Sequence, residues 1–268
     1  MCGGVGDDFH EHELPWTIPG NSKPCGRFGV VMAQLKWWLV ACLLRKKLRV
    51  REREIRNVRF SFSANGEDVV LDTLLTGPGR YLEIGGHQPV AGSNTYLLYL
   101  RGWHGLVVEP NPKHAGDFSR RRPRDQVVEA AICDFEGEVW YDEVTPHDSA
   151  NQIRRLESQP GPLVVRSRKI RSMTMEVLLR SSRYRPEEFR LFSIDAEGCD
   201  LEILRSTPWG LFQPEVVCVE ALADGVRRET MMYLGKKGYE FHAATGPSLI
   251  FRKTEAASPQ GRYKSIRP

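Results

Sequence analysis

The chain has 268 residues, of which 41% are hydrophobic and 27% are charged, enough for one medium-sized globular domain with attached tails. Its formal net charge is only +4, and the basic residues gather towards the two ends, whereas a nucleic-acid-binding protein needs a concentrated basic face. The six cysteines include no C-x-x-C pair, which argues against a structural zinc site and favours a reducing, cytoplasmic location.

The first 56 residues are predicted to lie outside the main domain. Residues 1–27 are rich in glycine, proline and charge, and we expect a disordered tail. Residues 28–56 are predicted to be an apolar and then basic helical segment, with Lys36 inside its apolar run, where a charge is costly in hydrocarbon. Three interpretations remain open: an amphipathic helix packed on the domain, an interfacial anchor, or a membrane-spanning signal anchor. Any peripheral contact with a membrane would therefore use residues 28–53.

From Asn57 onwards, short apolar runs alternate with amphipathic stretches, which predicts an α/β domain over residues 57–255, with a mostly parallel sheet between helices. The predicted helices cover residues 65–75 (capped by Asn65), 93–100, 174–179, 200–205 and 227–237. The predicted strands cover residues 80–84, 105–109, 126–132, 137–141 (an edge strand), 190–194 and 216–219, then 239–242 and 249–252 as an antiparallel edge hairpin. Residues 144–162 read as a mobile loop over a site, and residues 256–268 as a flexible tail.

Several predicted strands end in glycine or acidic residues, and in a doubly wound sheet ligands bind outside the carboxyl ends of the strands. Gly85 and Gly86 follow the first strand and would let a ligand approach the backbone, although an ordinary tight turn explains them equally well. Glu109 ends the second strand, 24 residues beyond Gly85, where an acid suits the hydroxyl groups of a ribose.

Two carboxylates follow the strand that ends at Ile194. We expect Asp195 and Glu197 to point into the crevice, where they could offset a positive charge or take a proton from a hydroxyl group. Glu197 and Asp200 could instead cap the following helix. Glu220 ends a further strand in the same direction, so these positions together predict a ligand site at one edge of the sheet.

The ordered blocks of the sequence resemble those of the FkbM-type methyltransferases. In chain order they are Asn65-Gly66-Glu67-Asp68, YLEIGGHQPVAGSNT, RGWHGLVVEPNP, EAAICDFEGEV, FSIDAEGCDLEIL and VVCVE. The resemblance covers roughly residues 60–253, and the pair GLVVEPNP and SIDAEG makes it specific. It implies a class I, Rossmann-like methyltransferase domain that binds S-adenosylmethionine at the carboxyl edge of the sheet. Members of this family typically methylate oxygen, often on sugars or natural products.

The resemblance also implies roles for single positions. Glu83, Gly85 and Gly86 match the loop that lines the methionine half of the cofactor, and Glu109 matches the acid that binds the ribose. Asp134 stands at the position of an adenine contact. The upstream block adds three cofactor-binding positions, Asn65, Glu67 and Asp68. Ala64 stands where that block usually has glutamine, so the chain departs from the pattern at one polar contact.

Methyl transfer to an alcohol needs a group that removes the hydroxyl proton, and the catalytic candidates, in order, are Asp195, Glu197 and His87. Asp195 and Glu197 match the family's block near the transferred methyl group, and His87 directly follows the glycine loop, where a structural role is also open. The sequence thus predicts O-methylation of a small-molecule, sugar or glycan hydroxyl group with S-adenosylmethionine and without a metal ion.

Three other functions share parts of this pattern. The main alternative is a non-catalytic binding or scaffold protein, because a fold does not imply a function. A nicotinamide-dependent oxidoreductase would share the fold and the ribose acid, but its G-x-G-x-x-G fingerprint is missing from the loop after the first strand. A nucleic-acid methyltransferase is supported only by the basic residues 45–59, so we expect no specific nucleic-acid partner.

Overall fold

The computed structural model describes residues 59–144 and 151–254. The predictions for residues 1–56 and 256–268, and for part of the loop at residues 145–150, lie outside the described residues. Within the described part, no helix is long and apolar enough to cross a membrane.

Strands and helices alternate along the described chain. The strands are β1 (Arg80–Ile84), β2 (His104–Val108), β3 (Gln126–Val128), β4 (Ala131–Ile132), β5 (Gly137–Val144), β6 (Gln152–Arg154), β7 (Val164–Met173), β8 (Phe189–Ile194), β9 (Val216–Glu220), β10 (Tyr239–Thr245) and β11 (Ser248–Lys253). The α-helices are α1 (Glu67–Leu74), α2 (Tyr96–Leu100), α3 (Pro112–Arg121), α4 (Met175–Ser181), α5 (Asp200–Ser206) and α6 (Asp224–Lys236).

Seven of these strands form the main sheet, in the order β3-β2-β1-β8-β9-β11-β10. All of them run parallel except β11, which is antiparallel to both of its neighbours. The strand order reverses at β1, which lies between β2 and β8, and ligands of doubly wound sheets bind outside the carboxyl ends of the strands at such a point. The predicted doubly wound α/β fold and its antiparallel edge hairpin are confirmed.

Apolar side chains fill both faces of the main sheet. Leu82 and Ile84 of β1 belong to one buried cluster, whereas Tyr81 on the same strand belongs to another cluster together with Trp103 and Phe118. Strands that are buried on both faces read as continuous apolar runs, which is why the central strands could be predicted with nearly correct bounds.

A second sheet, in the order β4-β7-β5-β6, corrects three predictions. The single strand predicted over residues 126–132 is two strands, since β3 pairs in the main sheet and β4 pairs with β7. The predicted edge strand at residues 137–141 extends to Val144 and lies inside the second sheet, between β7 and β6. The predicted loop at residues 144–162 contains β6.

Three further features differ from the prediction, and the first is α3, in a region for which no helix was predicted. Strand β7 was not expected from the sequence, because its residues 165–169 are mostly exposed and basic and give no apolar alternation. The cap of α1 is Gly66, with a φ of 84°, and not Asn65. Asn65 precedes the cap position, and its side-chain amide donates to Glu67 at 3.2 Å.

Candidate active site

A glycine turn joins the ends of β1 and β8. Gly85 has a φ of 77°, and a Cβ on it would lie 1.7 Å from the carbonyl oxygen of Asp195. The Asp195 N–H donates to the carbonyl of Ile84 at 3.0 Å. The structure therefore brings Gly85 and Asp195 together, and only glycine fits between the two loops.

Gly86 is small for a different reason. A Cβ on Gly86 would lie 2.6 Å from a Val107 methyl group and 2.8 Å from the Phe118 ring, so its size lets α3 pack closely on the sheet. Packing alone accounts for this glycine, and its predicted contact with a cofactor stays a prediction.

Glu109 lies at the end of β2 with a buried carboxylate. Its Oε2 accepts the His87 N–H at 2.6 Å, and its Oε1 accepts the Asn111 N–H at 2.7 Å. Burial raises the pKa of Glu109 to about 7 in spite of these two hydrogen bonds. A carboxylate can accept about four hydrogen bonds, so it keeps capacity for two ligand hydroxyl groups, as a ribose acid requires.

The backbone of His87 is held in an uncommon conformation by Glu109. Its φ is 46°, a left-handed value that is rare outside glycine. Its ring lies 4.7 Å from the ring of His114, a buried residue of α3. His87 thus forms part of the loop that ends against Glu109, and its role as a base stays a prediction.

Carboxyl groups cluster at the ends of β8 and β9. Burial, followed by the neighbouring charge of Glu220, raises the pKa of Asp195 to about 8. Burial, followed by the charges of Asp200 and Glu197, raises the pKa of Glu220 to about 7. One Glu220 oxygen, Oε2, is buried without a hydrogen-bond partner among the described residues. This cluster is therefore partly protonated at neutral pH.

The remaining acids, Glu197 and Asp200, lie in the loop between β8 and α5 and at the start of α5. Asp200, the first residue of α5, accepts the N–H groups of Ala196 and Gly198 at 2.8 and 3.1 Å, so it holds the turn before the helix. The N-cap of α5 is Cys199, with no side-chain cap hydrogen bond, so the capping interpretation is wrong. Glu197 has a φ of 49°, and burial followed by the charge of Asp195 raises its pKa to about 7. A non-glycine residue in this conformation is strained, and such strain is concentrated at functional sites.

The upstream acid Asp68 forms its hydrogen bonds within its own segment of the chain. Asp68 is buried and accepts hydrogen bonds from Ser61, Phe62, Ser63 and Val69. Those bonds use the capacity of its carboxylate, so Asp68 holds the segment before α1 in place. Its predicted cofactor contact has no support from this geometry.

Glu67 and Asn65 lie closer to the site. The Glu67 carboxylate accepts from the Asn65 N–H at 2.9 Å and from the Ser248 hydroxyl group at 3.1 Å. Its charge contributes to the raised pKa of Asp195, which places it near the acid cluster.

Glu83 belongs to a buried network centred on Arg122, which sequence reasoning missed. The Arg122 side chain is 0% exposed, and its Nε donates to Asp125 at 2.7 Å. Its Nη2 donates to Thr95 and lies 3.4 Å from Glu83, and Thr95 in turn donates to Glu83 at 2.7 Å. Arg122 follows two other arginines, and such a run is usually a solvated surface.

The second sheet reaches the site through a tyrosine. The Tyr141 hydroxyl group of β5 accepts from the Asn151 amide at 2.9 Å and lies 3.4 Å from the Asn111 amide. Asn111 also caps α3 and donates to Glu109. No sequence signal marked Tyr141, because its strand was not assigned to a second sheet.

Asp134 is an exposed acid that follows β4. Its side chain is 61% exposed and forms an ion pair with Arg155 at 2.7 Å. Both residues line a cavity of about 70 Å³, together with Cys133, Phe135, Cys199 and Glu202. The adenine contact of Asp134 stays a prediction. In the described residues, no group of three or more acids, histidines or cysteines is arranged to hold a metal ion.

The sequence matches the family "Methyltransferase FkbM domain" over residues 83–241, which is 159 of the 268 residues. The match spans Glu83, Glu109, Asp195 and Glu220, and therefore all the strand ends that form the site. None of the curated proteins compared with the chain matches it significantly.

Solved structures with a similar fold include two methyltransferases. An O-methyltransferase from Bacillus cereus in complex with SAH is 14% identical, with a TM-score of 0.42, and the alignment covers 80% of this chain and 96% of that one. A TehB-like SAM-dependent methyltransferase from Corynebacterium glutamicum is 12% identical, with a TM-score of 0.37, covering 85% and 100%. Likeness at this level carries no information on the substrate.

Proposed function

The chain belongs to the FkbM methyltransferase family, and from that premise we propose that it methylates a hydroxyl oxygen of a small-molecule, sugar or glycan acceptor. Family membership makes it a methyltransferase that depends on S-adenosylmethionine. The acceptor atom and the class of acceptor are the proposed part.

The residues at the carboxyl edge fit this cofactor. When bound, S-adenosylmethionine supplies an electrophilic methyl group on a positively charged sulfur. Gly85 would let the loop backbone approach the methionine half, since it carries no Cβ. Glu109 would accept the ribose hydroxyl groups with the capacity that its two backbone partners leave.

The observation that carries the proposal is the pair of carboxyl groups beside the glycine turn, Asp195 and Glu220. Displacement at a methyl group gains most from holding the two reactants in contact. A hydroxyl acceptor must also lose its proton, and a base works best when its pKa lies near the working pH. Asp195, with a pKa of about 8, meets that condition. A hydroxyl acceptor requires such a base, so the poised Asp195 carboxyl group is consistent with oxygen as the acceptor.

The roles of the other candidates follow from their positions. Glu197 adjoins Asp195 in a strained turn and would orient the acceptor or share its proton. His87 would complete the loop that holds the donor, since its N–H is fixed by Glu109. The three described cysteines are free thiols, which supports the proposed cytoplasmic location. The proposed peripheral membrane contact depends on residues 28–53, outside the described part.

Two measurements test the proposal. Calorimetric titration of the full chain with S-adenosylhomocysteine, and separately with NAD, should show binding of the first compound alone. Incubation of the enzyme with S-adenosylmethionine carrying a CD3 group, and with fractionated small molecules and glycans, should then yield products whose label lies on oxygen by NMR.

Matched variants give the controls. Asp195→Asn should bind S-adenosylhomocysteine but lose transfer at least 100-fold, whereas Glu240→Gln, an exposed acid of β10, should behave as the wild type. Absence of S-adenosylhomocysteine binding by the folded protein would favour the scaffold alternative. A label on nitrogen or carbon would refute the proposed oxygen acceptor.

A further inference from the structure

One row of side chains on the second sheet faces the carboxyl edge of the main sheet, where the cofactor is expected to bind. Ile153, Tyr141 and Arg168 are direct neighbours on β6, β5 and β7, so their side chains lie on the same face. The Tyr141 hydroxyl group on that face lies 3.4 Å from the Asn111 amide. Because Asn111 also donates its N–H to Glu109, the row ends beside the predicted ribose acid.

Arg168 brings a positive charge to this place. Its guanidinium carbon lies 4.7 Å from the centre of the Tyr141 ring, an arrangement that stabilises a cation. Its charge also acts on the Glu109 carboxylate and lowers the pKa of that group against the larger effect of burial. The side chain is 23% exposed, so the guanidinium is largely shielded from water.

Within the described residues, no hydrogen bond uses the Nε–Nη2 edge of Arg168. Its Nε and Nη2 atoms are both buried, and neither has a hydrogen-bond partner within the part of the chain that the structure describes. Nη2 forms an ion pair with Glu143, whose oxygen lies 3.6 Å away, too far for a hydrogen bond. Buried donors in native proteins are nearly always satisfied, so this edge needs an acceptor from elsewhere.

Other arginines of the chain show what this edge binds. The Nε and Nη2 atoms of Arg190 hold the two oxygens of Glu215 at 2.6 and 2.8 Å. Those of Arg154 hold the two oxygens of Asp142 at 2.5 and 3.1 Å. Two parallel hydrogen bonds of this kind are the preferred way in which a guanidinium recognises a carboxylate or a phosphate.

We propose that Arg168 binds an oxyanion of the methyl acceptor, a carboxylate or a phosphate, through its Nε–Nη2 edge. The methyl acceptor is then an acidic molecule. This inference rests on the proposed function, because it narrows the class of substrate for that same site. The cofactor does not account for the edge. Its one anionic group is the carboxylate of its methionine half, which is assigned to the β1 end at Gly85, whereas Arg168 lies beside Glu109, where the uncharged ribose is expected.

The test uses the full chain with saturating S-adenosylhomocysteine and two probes, inorganic phosphate and acetate. Each probe is titrated at constant ionic strength against chloride while the thermal unfolding midpoint is measured. The wild type should show a saturable rise with at least one probe. Arg168→Met should weaken that binding at least tenfold, whereas Arg171→Met, an exposed arginine on the opposite face of β7, should leave it within about twofold.

Calorimetry with S-adenosylhomocysteine separates the outcomes. We expect both variants to bind it within about twofold of the wild type. The inference is overturned if neither probe binds the wild type, if Arg171→Met loses probe binding equally, or if Arg168→Met loses S-adenosylhomocysteine instead. If the wild type does not bind S-adenosylhomocysteine at all, the proposed function itself fails. Should Arg168→Met not fold, Arg168→Lys keeps the charge without the two-pronged edge and should still weaken probe binding several-fold.

Discussion

The carbonyl oxygen of Asp195 occupies the space that a side chain on Gly85 would need, since a Cβ there would lie 1.7 Å away. This contact joins the ends of β1 and β8 at the point where the strand order reverses. The proposed base and the proposed donor loop are therefore fixed to one another by the backbone, and the position of Asp195 depends on the absence of a side chain at Gly85.

Gly85→Ala should lower both stability and cofactor affinity. Gly92 is a matched control, because its φ of 76° is almost the same and a Cβ there would meet nothing within 4 Å. The left-handed conformation should cost each alanine variant about 1 kcal/mol. The clash in Gly85→Ala should add about 2 kcal/mol and abolish S-adenosylhomocysteine binding. Urea unfolding and calorimetry measure both effects, and equal losses in the two variants would contradict the contact.

The main sheet could be predicted because its strands are buried on both faces. Strand β1 has the predicted bounds, and β8 and β9 each differ from the prediction by one residue. Strand β7 could not be predicted in the same way, since Arg166, Arg168 and Lys169 give it no apolar alternation. It forms only because β5 and β4 pair with it on either side.

The residues of the site that directly follow strands of the main sheet could be predicted from the sequence. Glu109 and Asp195 come directly after β2 and β8, the two parallel strands that flank β1, so sheet geometry alone brings them to one edge. The burial and contacts of Arg122 and Arg168 depend on residues from distant segments of the chain, which no local sequence pattern reveals. An arginine in a basic run reads as solvated until its neighbours in space are known.

Arg122→Met should destabilise the domain strongly. The side chain is fully buried and pairs with Asp125, with Glu83 3.4 Å away, so its removal leaves buried acids without a counter-charge. We expect a loss of about 3–5 kcal/mol in the free energy of unfolding. Arg120→Met, in the same basic run but 72% exposed, should change it by less than about 0.5 kcal/mol. A loss below about 1 kcal/mol for Arg122→Met, measured by urea unfolding, would argue against the network.

Cofactor affinity should depend on the ionisation of Glu109. Burial raises its pKa to about 7, and ribose hydroxyl groups donate to the ionised form, so binding should strengthen as the pH rises from 6 to 8 and should release a proton near pH 7. Calorimetry in buffers of different ionisation enthalpy measures that release. Glu109→Gln should bind at least tenfold more weakly and lose the pH dependence. Proton uptake by the wild type, or an unchanged profile in the variant, would show that Glu109 does not bind the ribose.

The acid cluster should make the domain less stable as the pH rises. Burial raises the pKa values of Asp195, Glu197, Glu220 and Glu109 to about 7 or 8, whereas the same acids have pKa values of about 4 in the unfolded chain. At neutral pH the folded chain thus binds more protons than the unfolded chain. The stability that these protons confer is complete below about pH 4 and is lost as the pH rises through 7 and 8.

Unfolding in urea between pH 6.5 and 8.5 tests this slope. The lower limit avoids His104, whose pKa is lowered by burial and which would act in the opposite direction in more acidic solution. The free energy of unfolding should fall towards pH 8.5, by at most roughly 1.4 kcal/mol per pH unit for each extra proton, and by less for the half-exposed Glu197 and Glu220. The double variant Asp195→Asn with Glu220→Gln removes two titrating groups and should flatten the profile, whereas Glu240→Gln on the exposed face of β10 should keep it. A wild-type profile that is flat or rises over this range would mean that the acids ionise freely, and Asp195 would then lose its standing as a base poised near the working pH.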